Sequence, residues 1–142
     1  MSAIPLERDA ALGLVRRYGL APADLVLEVG SGTGSFLAAL RAAGVRVLGI
    51  EPDMRRMAEA WASGVDTLAV QFGSGAAEYV REKYGPVKLL VTRQVRPGGE
   101  EFSRLVAAAT RCLDPNGAIA ILDSGANPVM DVRPDSERRR AA

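Results

Sequence analysis

The chain has 142 residues, 48% hydrophobic and 25% charged, with a formal net charge of +1. That is the balance of one globular domain with room for a real core, and it excludes a surface field that would recruit nucleic acid or an anionic membrane. One cysteine, Cys112, excludes an intrachain disulfide and fits a reducing, cytoplasmic setting, while the lack of any histidine removes the commonest general base and metal ligand.

The amino terminus lacks the basic start and apolar core of a secretory signal, and no apolar run approaches the roughly 20 residues of a membrane span. Residues 5–18, with Leu6, Ala10, Leu14 and Val15 at helical spacing, predict a first helix. "DLVLEV" then reads as a strand buried on both faces. Residues 34–43 predict a helix carrying Phe36, Leu37 and Leu40 on one side, and residues 45–50 a second strand. Pro52 suits a helix start, and Met54, Met57, Ala58 and Trp61 follow at helical spacing, with Met57 and Trp61 expected in the core. Residues 66–72 predict a third strand, residues 76–84 a helix with Ala77, Val80 and Tyr84 inward, and "PVKLLVT" a fourth strand. Residues 101–113 show the cleanest amphipathic pattern, through Phe102, Leu105, Val106, Ala109 and Cys112. "DPNG" turns into a fifth strand, "AIAIL". The domain core is therefore expected over residues 1–122. Residues 123–142, with mixed charge ending in Arg138, Arg139 and Arg140, are expected to be a loose tail with at most one short strand around "PVMDV".

Helix and buried strand in alternation predict an α/β, doubly wound, Rossmann-like fold: a mostly parallel sheet in the order 3-2-1-4-5, helices on both faces. Ligands of such sheets bind beyond the carboxyl ends of the strands, where the winding reverses. That place is the loop after the first strand, Glu28-Val29-Gly30-Ser31-Gly32-Thr33-Gly34. Its glycines permit a tight turn and close approach of backbone to a ligand. The dinucleotide fingerprint G-x-G-x-x-G fails at Ser35, and no Gly-Lys-Ser/Thr of a P-loop follows. An acid, Glu51, ends the second strand, across the crevice from the glycines, placed to accept from both hydroxyls of an adenosine ribose. The competing reading is a packing turn beside a surface acid.

Glu-x-Gly-x-Gly-x-Gly, then "GIEPD", then "LDPNGAIAI" in place of a Leu-x-Pro-Gly-Gly run, resembles a class I S-adenosylmethionine-dependent methyltransferase over about residues 12–122. "LVRRYGLAPADLVLEVGSGTGSFLAALRAAGVRVLGIEPD" and "VREKYGPVKLLVTRQV" are similar to the core of bacterial deoxysugar C-methyltransferases, in a shortened form. The resemblance implies S-adenosylmethionine as cofactor, S-adenosylhomocysteine as product, and no metal. It implies that Gly30, Ser31, Gly32 and Gly34 line the methionine part, with Glu28 bracing the loop or meeting the ammonium through water. Glu51 would hold the ribose. Pro52, Asp53 and Met54 would flank adenine on one side, Phe72 and Gly73 on the other. For Met54 and Phe72, ordinary core packing is the alternative. The family's acid for the adenine amino group is lacking in "QFGSG", which leaves backbone or Gln71.

After the fourth strand the resembling enzymes carry Asn-Val and then a Glu-His pair near the transferring methyl. Here Arg93 fits the subgroup and is counted with the cofactor residues, Gln94 stands for Asn, and the histidine is missing. Methyl transfer needs a base only if the acceptor must lose a proton. Glu100 and Tyr84 are conceivable substitutes, but Glu100 and Glu101 read first as acids suited to a helix amino terminus, so no catalytic residue is assigned. The superfamily's sixth and seventh strands are expected to be missing or reduced, which leaves an edge open to a second copy or a partner protein. The expected function is methyl transfer to a small-molecule acceptor. The alternatives are a non-catalytic, S-adenosylmethionine-binding module acting with a partner, and a NAD-binding Rossmann protein.

Overall fold

A computed structural model describes residues 3–93 and 95–134, with side chains from Glu7 onward. Gln94, the side chain of Leu6 and the arginines Arg138, Arg139 and Arg140 lie outside the described residues. The elements run α1 (Ala3–Tyr18), β1 (Leu25–Val29), α2 (Ser35–Ala42), β2 (Arg46–Ile50), α3 (Met54–Ala62), β3 (Thr67–Leu68), α4 (Ser74–Tyr84), β4 (Val87–Thr92), α5 (Glu100–Ala109), β5 (Leu113–Leu122) and β6 (Pro128–Val132). They form one six-stranded sheet in the order β3-β2-β1-β4-β5-β6, parallel except for β6. The predicted α/β, Rossmann-like order stands, and "PVMDV" is indeed a strand: β6 extends the sheet past residue 122, antiparallel to β5. Tyr18 Oη donates to Asp131 (2.9 Å), and Arg17 lies 3.7 Å from the same carboxylate, so α1 is tied to that outer strand. Among the described residues no helix is long and apolar enough to cross a membrane.

The period-two alternation of the strands divides the core in two. Val26, Leu89, Val91, Ala118, Ala120 and Leu122 face α1 and α2 with Leu14, Phe36, Leu37 and Leu40. Leu25, Leu27, Leu48, Ile50, Leu90, Ile119 and Ile121 face α4 and α5 with Ala77, Val80, Leu105 and Cys112. "DPNG" is the bulge by which β5 jumps from a Val87↔Leu113 to a Leu89↔Ala118 register. Glu28 points to the α1–α2 face in the middle of this apolar packing and is 1% exposed.

Two expectations fail at the far edge. β3 is only Thr67–Leu68, not residues 66–72, because its single neighbour β2 ends at Ile50; the last bond is Glu51 N–H to Leu68 O (3.0 Å). The chain beyond peels away from the sheet. Trp61 is not core but 50% exposed, and its indole N–H donates to Thr67 O (2.8 Å), covering the unpaired edge of β3. Met57 is half-buried, and the buried residue of α3 is Ala60. Pro52 precedes α3 rather than starting it; Asp53 is the cap, accepting from the N–H groups of Arg55 and Arg56.

Gly34, φ +85°, connects the loop to α2, and a Cβ there would sit 3.1 Å from Ala60 Cβ and 3.2 Å from Val65 Cβ. Gly32, φ +60°, has open space instead, with nothing within 4 Å of where a Cβ would sit. Gly34→Ala therefore combines left-handed strain with overpacking, and should destabilise the fold by about 2–4 kcal/mol. Gly32→Ala bears the strain alone and should cost about 1–2 kcal/mol. Urea unfolding of the two variants checks the order.

Candidate functional site

The carboxyl ends of β1, β2 and β4 open into a crevice of about 520 Å³ on the α4–α5 side. Its size lies within the range of small-molecule sites, about 300–1,000 Å³. One wall is Val29, Gly30, Ile50 and Pro52, another Gln71, Phe72, Gly73 and Ser74, and the third Thr92, Val95 and the α5 residues Glu101, Arg104, Leu105 and Ala108.

The glycine loop is held against the end of β2 by its own amides. Gly30 and Ser31 both donate to Ile50 O (2.8 and 3.1 Å), Gly32 donates to Glu51 Oε1 (2.8 Å), and Gly34 donates to Ser31 O (3.0 Å). Glu51, 4% exposed, also accepts from Asp53 N–H through Oε2 (3.0 Å). Its carboxylate is thus fixed by two backbone donors, one for each oxygen, and each oxygen keeps further acceptor capacity. Ser31 is buried, and its hydroxyl has no hydrogen-bond partner.

On the opposite face Glu28 meets Arg93, which follows β4. Arg93 Nη2 lies 3.4 Å from Glu28 Oε2, its Nη1 is 3.5 Å from Ser124 O, and its guanidinium sits 5.3 Å from the centre of the Phe36 ring. Glu28 Oε1 is buried without a partner. Burial pushes the Glu28 carboxyl up to about 7; the Arg93 guanidinium pulls the other way, and the charges of Glu7 and Glu51 add to the rise. Glu7 itself receives a hydrogen bond from Ser35 Oγ (2.8 Å) at the start of α2.

The residues expected at a site separate into three groups. Gly30, Pro52, Phe72 and Gly73 line the crevice, with Glu51 and Gly32 locked behind it. Glu28 and Arg93 form a pair on the α1–α2 face, beyond the same loop. Gly34 faces inward onto Ala60 and Val65, so it serves packing rather than lining the crevice. Met54 is 70% exposed, which removes the core alternative for it; Phe72 packs partly on the core and lines the crevice as well. Arg104 was not expected here, Leu105 was expected only on the apolar face of its helix, and Glu101 only as a helix-end acid. Their spacing at i, i+3 and i+4 was the available signal, since it puts them on one face of α5.

Residues 27–121 match the family described as Methyltransferase domain. The C-methyltransferase NovU of Streptomyces niveus is 32% identical over 103 residues, which cover 72% of this chain and 24% of that protein. The sugar N-methyltransferase KedS8 of a Streptoalloteichus species superposes with a TM-score of 0.63 at 19% identity, over 84% of this chain and 48% of its own. An S-adenosylmethionine-dependent methyltransferase from Geobacter sulfurreducens, solved with S-adenosylhomocysteine, gives 0.55 at 24% identity, over 80% and 47%. The chain thus spans about a quarter of the curated relative and about half of these solved structures.

The raised carboxyl of Glu28 has a thermodynamic signature. A carboxyl held above its unfolded value adds stability below about pH 4.5 that is lost as pH rises through about 7. Relative to Glu28→Gln, the wild-type chain should lose on the order of 3 kcal/mol between pH 4.5 and 8. Urea unfolding of both chains across that range measures it; parallel pH profiles would show that Glu28 is not the titrating group. With its fold, its glycine loop and its sequence match in accord, the chain belongs to the methyltransferase domain family, in the class I S-adenosylmethionine-dependent superfamily.

Proposed function

We propose that this chain binds S-adenosylmethionine and transfers its methyl group to a small-molecule acceptor. The observation that carries the reading is the direction of the loop amides. Gly30, Ser31, Gly32 and Gly34 spend their N–H groups on Ile50, Glu51 and Ser31. A pyrophosphate would need such amides turned outward. Glu28 has the charges of Glu7 and Glu51 acting on it, opposed by the Arg93 guanidinium. A cationic sulfonium suits these acids better than the pyrophosphate of a dinucleotide does.

In this reading Glu51 accepts from the ribose hydroxyls, and Pro52, Phe72 and Gly73 bound the adenine, with Met54 at the outer rim. Glu28 and Arg93 offer one charge of each sign to the methionine end. The unpaired Oε1 of Glu28 accepts from the ammonium, and Arg93 donates to the carboxylate. The cofactor would supply a methyl group activated by its sulfonium, open to in-line attack by a lone pair. Pre-orientation of the acceptor over the ends of β4 and β5 is then the chain's main contribution. With no histidine in the sequence, the reading favours an acceptor atom that is already nucleophilic at neutral pH. A cytoplasmic setting belongs to the same reading, supported by the single, buried thiol of Cys112.

Calorimetric titration tests it. S-adenosylmethionine and S-adenosylhomocysteine should bind in the micromolar range and NAD should not, and Glu51→Ala should weaken both adenosyl ligands at least about tenfold. Binding of NAD in preference to either adenosyl ligand would refute the reading.

A further inference from the structure

We propose that Glu101 and Arg104 of α5 read the base in the crevice, with Glu101 accepting from the N6 amino group of adenine and Arg104 donating to its ring N1. The assignment rests on the adenosyl reading above and deepens it. Both residues line the crevice opposite Gln71, Phe72, Gly73 and Ser74. They stand at i and i+3, on one face of α5, so they reach a common edge.

Chemistry singles them out among the polar residues of the crevice. An adenine edge presents a donor at N6 and an acceptor at N1; a hypoxanthine edge presents an acceptor at position 6 and a donor at N1. An ionised carboxylate only accepts and a guanidinium only donates, so the pair matches one edge and opposes the other. Gln71, Ser74 and Thr92 can each donate and accept, and so discriminate little. Glu101 carries the only carboxylate among the described residues lining the crevice. Arg104 is in loose contact with Glu100 at 3.9 Å, on a side chain 72% exposed, which leaves guanidinium donors for a ligand. The same helix position that makes Glu101 favourable at the amino end of α5 thus presents an acceptor to the base.

The test compares S-adenosyl-L-homocysteine with S-inosyl-L-homocysteine, titrated calorimetrically into the whole chain. The wild type should prefer the adenosyl ligand by at least about tenfold. Glu101→Ala and Arg104→Ala should each narrow that ratio to within about threefold of unity, and Glu101→Gln, whose amide can turn to accept or to donate, should narrow it as well. Glu100→Ala removes an acid from the same helix turn but not from the crevice, and should leave the ratio unchanged. Thermal midpoints close to wild type would confirm that the variants are folded. If the wild type binds the adenosyl ligand but Glu101→Ala and Arg104→Ala leave the ratio as it was, the assignment is overturned and the adenosyl reading survives. If the wild type binds neither ligand, the reading falls and the assignment falls with it.

Discussion

Everything at the carboxyl end of this sheet depends on how the glycine loop is pinned to the end of β2. Ile50 O takes two amides and Glu51 a third, so three consecutive loop residues are fixed by two consecutive residues of the neighbouring strand. The register of β1 on β2, Val29↔Ile50, puts those groups side by side. A loop bound in this way spends the amides of Gly30, Ser31 and Gly32 on Ile50 and Glu51. The polarity of the crevice beside it then comes largely from side chains, those of Gln71, Ser74, Thr92, Glu101 and Arg104.

The two faces of the loop divide the work. Toward α4 and α5 lies the crevice, walled by backbone and apolar groups, with Gln71 and Ser74 on one wall and Thr92, Glu101 and Arg104 on the facing one. Toward α1 and α2 lies a buried carboxylate with one long ion pair and one unsatisfied oxygen. Such a group is costly in a folded chain, and nothing in the apolar packing around Leu14 and Phe36 needs it. Burial holds its proton near neutrality, whereas a cationic partner would favour its ionised form.

Much of this was legible in the sequence, and the reasons differ by element. The buried runs "DLVLEV" and "AIAIL" marked the central strands because a strand covered on both faces must be continuously apolar. Glu51 and the glycines were legible because their spacing is a property of one strand-loop-helix unit. Trp61 and Met57 misled because an apolar stripe does not say whether the sheet extends far enough to cover it, and β3 stops after two residues. The role of Gly34 was hidden because its neighbours, Ala60 and Val65, are distant in sequence. Glu101 and Arg104 were hidden for the same reason: only the packed α5 brings them opposite Phe72.

The most direct measurement of the account is a nitrogen-15 amide spectrum of the labelled chain titrated with S-adenosylmethionine. Shifts concentrated at Gly30–Gly32, Glu51, Phe72–Ser74 and Thr92 are the predicted result, since these groups form or back the crevice. Shifts confined to another surface, such as the groove bounded by Arg81, Thr110, Arg111 and Asp114, with the glycine loop unmoved, would contradict it.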